Sequence, residues 1–100
     1  MLIRSQDKKN LCTLTHVSII KKDKTNKFRE ATTIEYGIVN WIGNNYIGIG
    51  EYSTEEKAIK VLDMIQNAYV NYQYSKWVGY ERETVIDFIF EMPKDDDLKA

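Results

Sequence analysis

The sequence predicts an α+β fold: an antiparallel β-meander of about four to six strands, one long amphipathic helix packed on a face of it, and a C-terminal strand returning to the sheet. Three stretches predict it. In GEYSTEEKAIKVLDMIQNAYVNY, residues 50–72, apolar side chains recur at three- and four-residue steps through Ala58, Val61, Leu62, Ile65, Ala68, Tyr69 and Tyr72, the spacing of one buried helical stripe. From Thr32 to Glu51 two β-like runs flank Gly43-Asn44-Asn45, residues that tolerate the left-handed backbone of a tight hairpin. From Val85 to Met92 a two-residue period puts Ile86, Phe88, Phe90 and Met92 on one apolar face, and Pro93 ends the run because it cannot donate to a ladder.

Met1 to Ser5 is short and apolar enough for an opening strand, and Gln6 to Asn10 is a polar turn after it. Leu11 to Lys22 is β-like, with a bend near Thr15-His16 where the alternation loses phase, and Asp23 to Lys27 (DKTNK) reads as a second turn. In Thr32–Ile42, Ile34, Tyr36, Ile38 and Ile42 share a face; Thr33, Glu35 and Gly37 share the other until Val39 and Trp41 turn it apolar. Ile47 and Ile49 of the next strand point inward, while Gly48 and Gly50 leave room for another element, the following helix being the nearest candidate. Ser53 is expected to cap that helix, with Glu56 completing an S-x-x-E box and Glu55 and Glu56 favouring the positive end of the dipole. The pattern weakens after Tyr72, so Ser75 to Thr84 (SKWVGYERET) reads as a loop. Residues 1–93 make one globular domain, and 94–100, with Asp95-Asp96-Asp97, an acidic flexible tail.

A hydrophobic content of 43% with 29% charged residues argues against wholesale disorder. A lone cysteine, Cys12, allows no intrachain disulfide, no apolar run builds a leader before Arg4, Gln6 and Asp7, and no segment is long and apolar enough to span a bilayer, so a cytoplasmic location is expected. Charge is uneven. Residues 1–29 hold eight Lys/Arg against two Asp, leaving +6, whereas residues 30–100 hold six against thirteen Asp/Glu, leaving −7. Such asymmetry fits two solvated faces, a nucleic-acid surface or head-to-tail self-association.

No catalytic residue, metal ligand set or cofactor site is predicted. Cys12 and His16 are four apart in strand-like sequence, which separates their α-carbons by roughly 13 Å, too far for a thiolate–imidazole pair. One Cys and one His cannot furnish a tetrahedral zinc site, and three consecutive aspartates lack the spaced oxygens of a calcium loop. Gly48 and Gly50 precede a helix, yet no third glycine or basic residue follows at phosphate-loop spacing.

Two features point to binding instead. The first is the aromatic group at the end of the helix and in the loop after it. Tyr69 and Tyr72 lie on the stripe and read as core, while Tyr74 points away from it and joins Trp77, Tyr80 and Arg82, the composition of a protein-interface hot spot. The second is the basic run Lys21, Lys22, Lys24, Lys27 and Arg29, which reads either as a nucleic-acid contact or as lysines that keep an edge strand from aggregating.

The opening MLIRSQDKKNL, the central GEYSTEEKAIKVLDMIQNAY and the late IFEMPKDDD together resemble a family of small, uncharacterised proteins encoded by phages, prophages and mobile elements of Gram-positive bacteria. The likeness covers the two ends and the helix, about half of the chain, and it brings no functional residues with it. It implies an accessory protein of a bacterial host cell that binds and sequesters or inhibits a host macromolecule, such as a component of anti-phage defence. Nucleic-acid or nucleotide binding, and structural self-assembly, are the alternatives.

Overall fold

In the computed structural model the backbone is described for residues 1–26, 31–77 and 89–98, and side chains for 1–23, 33–74 and 89–98. The fold is α+β: six strands in two three-stranded sheets, with one helix packed against them. Strands β1 (Leu2–Arg4), β2 (Leu11–Thr13) and β6 (Ile89–Glu91) form one sheet, in the order β2-β1-β6. Strands β3 (His16–Asn26), β4 (Ala31–Ile42) and β5 (Asn45–Tyr52) form the other as a meander. The returning strand β6 therefore joins β1, in parallel, and not the meander. Of the run Val85–Met92, residues 85–88 lie outside the described residues.

The expected bend falls at Leu14-Thr15, where the chain leaves one sheet and enters the other. A corner of this kind frees backbone groups from both ladders. Asn40, fully buried on β4, takes them up: its Oδ1 accepts from the Thr15 N–H at 3.1 Å, and its Nδ2 donates to the Thr13 carbonyl at 2.9 Å. Nδ2 also lies 3.5 Å from the Cys12 sulfur, and the Thr15 hydroxyl donates to the Trp41 carbonyl. Every polar atom of the Asn40 side chain is engaged.

The turn predicted at Asp23–Lys27 is a correction. β3 continues through Asn26, with Asp23 opposite Ile34 and Asn26 opposite Ala31, because β4 starts early enough to pair Asp23 through Asn26; Lys27 lies outside the described residues. At the other hairpin Gly43 has φ +62° and begins a two-residue turn, the type II′ arrangement that matches strand twist. A bulge between Ile38 and Val39 then changes the phase of β5, so Ile49 and Gly50 are both buried while Ile47 is 37% exposed. The neighbours that Gly50 admits are Met92 and the ring of Tyr52, with no helix atom among the closest: a Cβ there would meet them at about 3.1 and 3.0 Å.

Helix α1 (Glu55–Trp77) buries Ala58, Val61 and Ile65 against Ile3, Ile38, Ile49, Tyr52, Met92 and Leu98. It runs past Tyr72 because no Gly or Pro interrupts it before Gly79. The cap is also corrected. Thr54, not Ser53, accepts the Lys57 N–H through its hydroxyl at 3.1 Å, so the S-x-x-E box does not form around Ser53. Ser53 instead turns its N–H and hydroxyl to the Asp95 carboxylate at 2.8 and 3.0 Å, and Lys57 Nζ joins at 3.2 Å. These contacts, the Ser53 backbone N–H first, hold the Asp95 carboxyl below its ordinary pKa range. The segment expected to trail as a tail thus forms a short 3-10 turn, Asp95–Asp97, and buries Leu98 in the core. The Tyr52 hydroxyl, its pKa raised by burial and then by Asp95 and Asp97, stays protonated and donates to the Pro93 carbonyl at 2.7 Å.

Thr54→Ala is expected to cost about 1 kcal/mol of stability, the typical loss on removing an N-cap oxygen. Ser53→Ala, which keeps the backbone bond to Asp95, costs about half of that on the scale of one exposed hydrogen bond. Thermal melts of the pair check the order; the reverse order would return the cap to Ser53.

Candidate functional site

Positions on a helix advance by about 100° per residue, and Ile59, Val70 and Tyr74 fall within a wedge of about 60° on the side of α1 away from its buried stripe. They are 45%, 57% and 62% exposed. Tyr74 is placed as the sequence predicts, pointing away from the core, although it stands on the helix and not in a loop. The backbone of Trp77 closes the same helix; its side chain, and Tyr80 and Arg82 altogether, lie outside the described residues.

Tyr69 is corrected: it is 39% exposed, and with Leu62, Ile65 and Gln66 it forms one wall of an open cleft of about 390 Å³. Leu14, Thr15 and Val17, from the corner between the two sheets, form the opposite wall. Helix α1 turns its stripe to the core at Ile65, so the flank that carries Leu62 and Tyr69 comes to rest beside that corner. Gln66 and Tyr69 form the lip, and Val70 and Tyr74 continue outward from it along the helix. The lip is stiffened, since Gln73 Nε2 donates to the Tyr69 hydroxyl at 2.6 Å and the Tyr69 and Tyr72 rings lie 6.3 Å apart. The cleft was hidden from sequence reasoning because Leu14, Thr15 and Val17 of its lining arrive from the bend and the start of β3, whose angle to the helix local rules do not give. Val70 was readable from its angular position alone.

Of the basic run, the side chains of Lys21 and Lys22 are described, and these two do not share a face. Consecutive strand residues alternate faces, so Lys21 lies opposite Tyr36 on the core-facing side and Lys22 opposite Glu35 on the other. Lys22 Nζ lies 3.4 Å from the Glu51 carboxylate. The side chain of Lys24, and Lys27 and Arg29, lie outside the described residues. Cys12 and His16 sit on different strands, the thiol half-buried against Asn40 and the imidazole exposed beside Ser18, Trp41 and Gly43. Among the described residues, no group of three or more His, Cys, Asp or Glu is placed to hold a metal ion, and no helix is long and apolar enough to cross a membrane.

What the arrangement offers is an apolar recess with an aromatic lip and exposed Val70 and Tyr74 beside it, a shape that receives a protruding side chain and covers its surroundings. No protein-family model matches the chain, and neither a curated protein nor a solved structure does.

Proposed function

We propose that this is a non-enzymatic protein-binding domain whose contact surface is the cleft between α1 and the sheet corner, together with exposed Val70 and Tyr74 beside it. The observation that carries the reading is the continuity of the two: a recess lined by Leu14, Val17, Leu62, Ile65 and Tyr69 opens directly onto exposed Val70 and Tyr74. Interfaces concentrate their affinity in such a central pocket, rimmed by aromatic side chains that exclude water. The partner is a protein of the bacterial host that inserts one apolar anchor residue. The resemblance to phage and mobile-element proteins favours sequestration or inhibition as the outcome, an anti-phage defence component being the target class. The nucleic-acid alternative draws less support, since Lys21 and Lys22 diverge and Lys22 is engaged by Glu51.

The test uses the wild-type chain to capture a partner from a Gram-positive lysate, followed by titration of the purified pair. Tyr69→Ser with Tyr74→Ser is expected to weaken binding at least about 100-fold, the scale of a hot-spot pair, while both proteins melt cooperatively near the wild-type temperature. Affinity within about twofold of wild type would dismiss this surface. Steep loss of affinity with added salt would favour the basic segment instead.

A further inference from the structure

The β4–β5 hairpin dictates which backbone groups of β5 are spare. With a two-residue turn at Gly43-Asn44, Ile42 and Asn45 face each other as a hydrogen-bonded pair, and alternation directs the N–H and C=O of Tyr46 and Gly48 outward from the sheet edge. Further along the same edge, Gln6 closes the ladder. Its backbone N–H donates to the Ile49 carbonyl at 2.8 Å, and its side-chain amide pairs with both the N–H and the C=O of Glu51 at 2.9 and 3.1 Å. Among the described residues, the part of the edge left open is therefore Tyr46-Ile47-Gly48.

This part lacks the usual protection. The opposite edge of the sheet, β3, carries Lys21, Lys22 and Asp23, charges that oppose pairing with another strand. No Asp, Glu, Lys, Arg or His occurs anywhere between Glu35 and Glu51. Tyr46 is 49% exposed and Ile47 37%. A Cβ on Gly48 would meet nothing within 4 Å, and beside it lies a recess of about 290 Å³ bordered by Gln6, Asp7, Lys22 and Glu51.

We infer that this edge pairs with the same edge of a second copy, antiparallel, about a twofold axis through Ile47. Tyr46 and Gly48 stand one residue to either side of Ile47, so in that register each tyrosine faces the other copy's glycine. Both are the outward-pointing residues, and two such pairs exchange four backbone hydrogen bonds. Each Tyr46 ring lies over the opposing glycine, a contact that offsets the missing side chain of a strand glycine, and fills the recess beside it. An isologous contact sets each residue near its own copy, where any charge would repel itself; the uncharged run from Tyr36 to Gly50 is the composition that avoids this. The pairing builds a six-stranded sheet from two meanders and leaves the helix cleft untouched, so it is independent of the function proposed above.

The area joined is small, and a dissociation constant on the order of 0.1 mM is expected. Sedimentation equilibrium from about 10 μM to about 1 mM tests it, with wild type rising toward twice the monomer mass. Ile47→Lys sets two ammonium groups together, and Gly48→Val fills the recess without crowding its own chain; each weakens the dimer at least about tenfold with a cooperative melt retained. Tyr74→Ser leaves it intact. A wild-type chain that stays monomeric at 1 mM, or a dimer undiminished in Gly48→Val, would overturn the inference.

Discussion

Asn40→Leu is expected to cost about 3–5 kcal/mol and to lower the melting temperature by about 15–25 °C. Leucine keeps the branching of asparagine and is somewhat larger, so the loss arises from hydrogen bonding and not from a cavity. Asn40 is completely buried, and the substitution takes away the partner of the Thr15 N–H and of the Thr13 carbonyl at the corner between the sheets. Each stranded group costs about 1–3 kcal/mol, a large part of the 5–15 kcal/mol that holds a domain of this size together. A melting temperature falls by about 4–8 °C per kcal/mol at this chain length. Asn40→Asp separates the two halves of the side chain. Its oxygen still accepts from Thr15, but an ionised carboxylate opposes the Thr13 carbonyl, whereas the protonated acid donates to it. The folded-state pKa of that aspartate is therefore raised, so the folded variant binds the extra proton and its stability is lost as pH rises through the raised pKa. Melts at pH 5 and pH 8 check both variants: Asn40→Asp approaches wild type only at the lower pH, and an Asn40→Leu protein melting within about 3 °C of wild type would remove Asn40 from this role.

What could be read in advance divides along a physical line. Local rules recovered the helix, the Gly43-Asn44 turn and, one residue away, the break they placed near Thr15-His16, because each depends on periodicity or backbone preference within a few residues. Ser53 and Thr54 show where local rules stop. Both are competent caps, and the choice was made by Asp95, 42 positions away, which draws Ser53 out of the capping role. Tyr69 shows the same limit: its angular position marks it as core, but the stripe is wider than the surface available to cover it, so the tyrosine at its margin became the lip of a cleft. Asn40 was invisible for the opposite reason. An asparagine inside an apolar strand carries no sign of what it bonds until the corner exists. As for the candidate site, Tyr74 was legible from its helical angle, and the cleft was not, since its far wall is assembled by topology.

Gln6→Ala is expected to cost about 2–3 kcal/mol. The side-chain amide of Gln6 acts as a piece of strand: Oε1 accepts from the Glu51 N–H, and Nε2 donates to the Glu51 carbonyl and, at 3.2 Å, to the carbonyl of Pro93. It thereby ties the β1–β2 turn to the edge of the meander and to the C-terminal segment in one residue. Alanine releases three hydrogen bonds worth about 0.5–1.5 kcal/mol each, and because Glu51 is exposed, water replaces part of the loss. Gln6→Glu does not rescue it at neutral pH, because a carboxylate there faces two carbonyl oxygens and the nearby Glu51 side chain. Hydrogen exchange gives the local readout: the Glu51 amide is expected to lose its protection, while amides in the centre of α1 change only by the global loss. Unchanged protection at Glu51 would mean that Gln6 does not close this edge.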